Sequence, residues 1–130
     1  MQSHDVKAVL GSLQTRQIRP GMHEDENAPS AIKFLETFNQ CMLGITRFSG
    51  QTPWERHPDG DELLYIMEGG VELTILDDTG ETRVRIPCGS IAVVPRGLWH
   101  RQRAESPTAL LFATAAVSTQ HSWAEDPRTS

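Results

Sequence analysis

The chain is 130 residues long, enough for one domain with a single core and too short for two ordinary ones. With 38% hydrophobic and 22% charged residues, and Gly and Pro scattered throughout, its composition suits a globular fold of short elements and many turns. A formal net charge of −5, with no Lys/Arg cluster, argues against nucleic acid or an anionic membrane as a partner.

The opening stretch MQSHDVKAVLGSLQTRQ lacks an apolar run of signal-peptide length, and nothing downstream approaches the ~20 apolar residues of a membrane span. A cytoplasmic chain is therefore expected. Residues 1–30 read as an irregular segment: Lys7 to Leu13 suits a short helix or a strand equally well, and RPGMHEDENAPS reads as a surface loop. From Ala31 the pattern becomes one of short strands, giving an all-β domain over 31–120 and a polar tail over 121–130. AIKFLETF is followed by a turn at Asn39-Gln40, and CMLGITRFSG continues as a strand to Gly50.

VELTIL places Val71, Leu73 and Ile75 on one face, Asp77-Asp78-Thr79-Gly80 supplies turn chemistry, and RVRI returns with the same alternation. IAVV reads as a short buried run ending at Pro95-Arg96-Gly97, and TALLFATAAV as a final strand apolar on both faces. AEDPRTS reads as a frayed terminus. Gly69-Gly70 and Gly97 fit turn positions that need unusual backbone angles. Short strands separated by turn signals predict a sandwich or a closed barrel. Cys41 and Cys88 stand far apart, outside any metal-binding or redox spacing, and are expected to be free thiols.

Two stretches carry candidate chemistry. In Gly50-QTPWERHPDGDELLYIME-Gly69, Glu55 and His57 point to one face of an extended segment, and the PDGD turn brings Glu62 back beside His57. In Gly89-SIAVVPRGLWH, a strand, a Pro-Arg-Gly turn and a second strand deliver His100. If these strands neighbour one another, Glu55, His57, Glu62 and His100 converge, and imidazole with carboxylate suits a divalent ion such as Zn, Mn, Fe or Ni. Gln102 alternates with His100 and should share its inward face. Tyr65, Trp54 and Trp99 are further candidates to frame a ligand pocket, whereas His4, His23 and His121 read as surface residues.

At these residues the chain resembles the cupin family, whose first motif is G-x5-H-x-H-x3-4-E-x6-G and second G-x5-P-x-G-x2-H-x3-N. Gly89, Pro95, Gly97 and His100 match the second motif, and His57, Glu62 and Gly69 match the first. The chain departs from the family where Glu55 replaces the first histidine, where Gly50 lies one residue too close, and where Ala104 replaces the final Asn. The resemblance implies an antiparallel jelly-roll barrel, a divalent metal held by His57, Glu62 and His100 with Glu55 as a positional substitute, and often a homodimer. A set of two histidines and two carboxylates is harder than three histidines, which favours Mn or Fe over Cu.

Two functions are compatible with this reading. One is a metal-dependent enzyme (oxygenase, isomerase, cyclase or lyase) acting on a small organic molecule, with Glu55 moving protons as a catalytic base. The other is a non-catalytic small-molecule-binding or sensor domain, with or without metal. The apolar TALLFATAAV strand adds a second hint of a homodimer, which would cover surface that a lone barrel leaves exposed.

Overall fold

A computed structural model describes residues 1–129. Ten strands form one sheet that curls into a barrel: β1 (Arg16–Ile18), β2 (Ile32–Phe38), β3 (Cys41–Gln51), β4 (Trp54–Arg56), β5 (Glu62–Glu68), β6 (Gly70–Asp77), β7 (Gly80–Pro87), β8 (Ile91–Val94), β9 (His100–Ala115) and β10 (Gln120–Ser122). Short helices α1 (Val6–Ser12) and α2 (Ala28–Ala31) precede β2, and a 3₁₀ turn over Pro127–Thr129 follows β10.

The long strand β9 organises the curl. Its first residues pair antiparallel with β6 (His100 opposite Ile75), and its later residues lie between β3 and β5, with Leu111 opposite both Ile45 and Tyr65. One side of the sheet turns inward to a core of Phe48, Leu64, Ile66, Val71, Leu73, Ile86, Val94, Ala104 and Leu110. The VELTIL and RVRI runs form the expected hairpin, closed in register at Asp77 opposite Gly80. Asp77 Oδ1 accepts from the Thr79 amide (2.8 Å) and hydroxyl (2.6 Å), which is how a short acid stabilises a two-residue reversal. Asn39 and Gln40 both take left-handed angles in the β2–β3 turn, at φ 48° and 67°.

Four expectations are corrected. The first thirty residues are not irregular throughout: Asp5 caps α1 by accepting from the Ala8 amide, and β1 adds in parallel to β3, while 19–27 is the expected loop. Gly50, at φ +95°, permits that addition, because a Cβ there would lie 2.3 Å from the Ile18 carbonyl oxygen. At the other end, β10 pairs with β4, Trp123 Nε1 donates to the Met22 carbonyl at 3.1 Å, and Pro127 is buried, so this tail is docked through residue 129. Ser130 lies outside the described residues.

The IAVV run is buried on one face only: Val94 is covered while Ile91 and Val93 are 65% and 56% exposed. Of the glycines expected at turns, Gly69 and Gly97 take positive φ, whereas Gly70 is an ordinary strand residue. Among the described residues no helix is long and apolar enough to cross a membrane, and Cys41 and Cys88 are free.

Candidate metal centre

Strand alternation and two pinned loops assemble the centre. Glu55 on β4 lies directly opposite His100 on β9, so two chain segments 45 positions apart in sequence enter the mouth side by side. The loop between β4 and β5 is tied to the loop between β8 and β9 twice: the Gly97 amide donates to the His57 carbonyl at 3.0 Å, and the Arg96 amide donates to Asp61 Oδ1 at 2.9 Å. Each motif loop therefore holds the other. On β5, Glu62 shares the inward face with Leu64 and Ile66.

The four side chains named from the sequence meet. Ligand atoms of Glu55, His57 and His100 all lie within 4.8 Å of one another. Glu62 reaches between the two imidazoles, with Oε1 3.2 Å from His100 Nε2 and Oε2 3.4 Å from His57 Nε2. Glu55 Oε2 stands 3.5 Å from His57 Nε2. His57, Glu62 and His100 are buried, and Glu55 is part-exposed.

Both imidazoles are oriented from behind. His100 Nδ1 lies 3.0 Å from the Leu98 carbonyl, which can only accept, so Nδ1 carries a proton and Nε2 faces the cluster. His57 Nδ1 lies 3.0 Å from Thr119 Oγ1, and its buried Nε2 has no hydrogen-bond partner. Thr114 donates to Glu62 Oε2 at 2.5 Å. A buried, unpartnered imidazole nitrogen facing two carboxylates and a second imidazole suits a borderline divalent cation, and the oxygen atoms behind the ligands are the supports such ligands require.

Charge couples the group in the metal-free protein. Burial pushes the His57 pKa down, but Glu55 and Glu62 outweigh it and raise the value from 6.5 to about 9. Burial opposes ionisation of Glu62, yet His100 and His57 hold its carboxyl well below the ordinary range. His100 is raised, with burial again opposing and the Glu62 carboxylate prevailing.

A cavity of about 370 Å³ opens on this cluster, lined by Glu55, His57, Glu62 and Gln102 among others. Gln102 faces inward beside His100, as alternation predicts, with its Oε1 buried and unpartnered. Tyr65 does not reach the cavity: it is 37% exposed on the outer face, opposite in phase to Glu62, Leu64 and Ile66. Trp54 and Trp99 do not line it either; they stack beneath the guanidinium groups of Arg101 and Arg56, 4.2 and 4.8 Å from the ring centres.

His121, read as a surface residue, is exposed, and it also lies opposite Glu55 on β10 and lines the cavity, with Nδ1 2.9 Å from Glu24 and Nε2 3.8 Å from Glu55. Thr114 and Thr119 were missed as well. Thr114 alternates with Leu110 and Phe112 on β9 and was legible as inward-facing; Thr119, in a short connection, gave no periodic signal.

Comparison with known proteins agrees with this architecture. The cupin domain model matches residues 48–115. A rice germin-like protein, "Germin-like protein 1-3" of Oryza sativa subsp. japonica, is 32% identical over 96 residues, covering 70% of this chain and 43% of its own length. The uncharacterized protein YdbB of Bacillus subtilis is 39% identical over 69 residues, covering 53% of this chain and 58% of its own. The chain thus spans about half the length of the curated relatives it matches. Among solved structures, hydroquinone 1,2-dioxygenase from Sphingomonas sp. TTNP3 superposes with a TM-score of 0.58 at 22% identity, covering 75% and 73% of the two chains. Oxalate decarboxylase of Bacillus subtilis, studied for its Mn(II) centres, does so with a TM-score of 0.60 at 14% identity, covering 69% and 27%.

Proposed function

The chain belongs to the cupin family, and on that premise we propose that it is a metal-dependent enzyme acting on a small organic molecule in the mouth of its barrel. The observation that carries this reading is His57 Nε2, buried without a hydrogen-bond partner and facing Glu55 and Glu62 within 3.5 Å. That nitrogen meets the two carboxylates as ion pairs without hydrogen-bond geometry, a contact that a bound cation would replace.

Glu55, His57 and His100 would hold the ion, with Glu62, which touches both imidazoles, as a fourth ligand. When bound, the ion supplies a Lewis acid that polarises substrate oxygen atoms. Thr119 and the Leu98 carbonyl keep the two rings aimed, and Thr114 keeps Glu62 from rotating away. Glu55 lines the cavity and serves as the proton acceptor for substrate. His121, beside it, links that carboxylate to the exposed Glu24.

Metal content of protein purified without added metal tests the reading. About one equivalent of a divalent ion is expected, from Zn, Mn, Fe or Ni. Less than a tenth of an equivalent, unchanged by supplementation with any of the four, overturns it and leaves a metal-free binding domain as the reading.

The same proposal includes a homodimer. Leu63 opposite Val93 and Tyr65 opposite Ile91 form an apolar outer face on β5 and β8, which a second copy covers isologously. Sedimentation at micromolar concentration should give the dimer mass; a monomer refutes this part alone.

A further inference from the structure

The cavity wall, taken with the charges around it, specifies a ligand class. We infer that the site accepts an uncharged, ring-bearing hydroxyl compound and rejects small dicarboxylates. This rests on the metal reading above for its charge balance; the shape of the wall is independent of it.

Charge is the first observation. Among the described residues the only Lys or Arg lining this cavity is Arg16, and two of its three guanidinium nitrogens are already engaged. Arg16 Nε donates to the Glu26 carbonyl at 2.8 Å, and Nη2 donates to the carbonyls of Glu24 (2.7 Å) and His23 (3.0 Å). Its work is to hold the 23–26 loop. His121 is flanked by Glu24 and Glu55. Glu55 and Glu62 together neutralise a bound dication. A dicarboxylate would therefore bring two negative charges into a partly desolvated site where Arg16 is the single Lys or Arg and has only Nη1 left to receive them.

The wall is the second observation. Besides the cluster, the cavity is lined by the apolar Ile18, Phe34, Phe48, Leu64, Leu110 and Phe112. Phe34 and Phe112 meet edge to face, with ring centres 6.1 Å apart and planes at 87°, making an aromatic corner. Gly44 lets the Phe112 ring lie against β3, since a Cβ there would fall 2.6 Å from the ring's Cζ. An apolar corner of this kind adds affinity for a ring and none for a bare dicarboxylate.

The third observation is Gln102. Its side chain is 9% exposed, it lines the cavity, and its Oε1 has no donor. A ligand hydroxyl meets this need, and because a hydroxyl both donates and accepts it serves either orientation of the amide.

Binding of catechol and of oxalate to the Zn(II)-loaded and the metal-free protein, by calorimetry, tests the inference. Zn(II) is redox-silent, so binding is read without turnover. Catechol should bind at least tenfold tighter than oxalate to the loaded protein. Phe34→Ala, at a 55% exposed position, should weaken catechol about fivefold and leave oxalate unchanged; Phe112→Leu and Gln102→Leu should act in the same direction. Equal or tighter oxalate binding, no catechol binding to either form, or full catechol affinity in all three variants overturns the inference. If the protein retains no Zn(II), the metal reading is decided separately by supplementation with Mn, Fe and Ni. The metal-free arm then decides: a catechol preference that Phe34→Ala reduces sustains the ligand class, and its absence overturns it.

Discussion

The barrel strands and the terminal segments build one cavity in opposite ways. The barrel contributes His57, Glu62 and His100, buried and supported from behind by Thr114 and a backbone carbonyl. The termini contribute Arg16, Ile18, Thr119 and His121, which are part-exposed or sit on three-residue strands held by a few hydrogen bonds. Chemistry is carried by the part with a core behind it, and access by the part without one. Such loosely secured segments open at lower free energy than core strands, which suits the rim of a site that a ligand must enter.

The sharpest break in that comparison is His100→Ala. Metal retention should fall below a tenth of an equivalent by elemental analysis while the circular dichroism of the barrel stays unchanged; an unfolded variant would make His100 a core residue first. Gly50→Ala acts on the other side of the comparison. The new Cβ collides with the Ile18 backbone, so Gln17 and Ile18 should lose hydrogen-exchange protection as β1 leaves β3, with metal content intact. Loss of metal together with β1 would show that the rim is part of the centre.

Thr119→Val crosses the boundary, because a terminal residue there orients a barrel ligand. Removing that hydroxyl should weaken metal affinity roughly 10–100-fold in competition with a chelator, the usual range for a residue behind a ligand. Unchanged affinity would place Thr119 among bystanders.

A smaller effect distinguishes the metal-free from the loaded centre. His57 is raised from 6.5 to about 9, so the stability it contributes is complete below pH 6.5 and disappears as pH rises through 9. Glu62 is lowered from 4.5, so its contribution is complete above pH 4.5 and is lost as pH falls below that. Chelator-treated protein should therefore melt highest between about pH 4.5 and 6.5, and supplying metal should remove the alkaline decline. A melting temperature of the treated protein that is flat from pH 6 to 9.5 would contradict the assigned ion pairs.

The spacing of Gly89, Pro95, Gly97 and His100, and of His57, Glu62 and Gly69, was legible because each position answers to a local demand: a turn, a loop tie or an inward strand phase. The same alternation could have excluded Tyr65, which lies one residue out of phase with Leu64; treating aromatic character as a pocket signal overrode it. IAVV misled for a related reason, since a four-residue apolar run does not reveal that one of its faces is left uncovered.

By itself, then, the sequence determined the strand-and-turn grammar of the barrel and the register that faces Glu62, His100 and Gln102 inward, because period-two alternation and turn chemistry act over a few residues, and its resemblance to the cupin motifs nominated candidate donors for the centre. Only the tertiary structure decided that Arg16 holds loop carbonyls, that Thr119 supports His57, that His121 lies beside Glu55, and that both termini dock at the mouth. Those contacts join residues tens of positions apart through strands of three residues, too short for any pattern. Their order comes from the surface they bind.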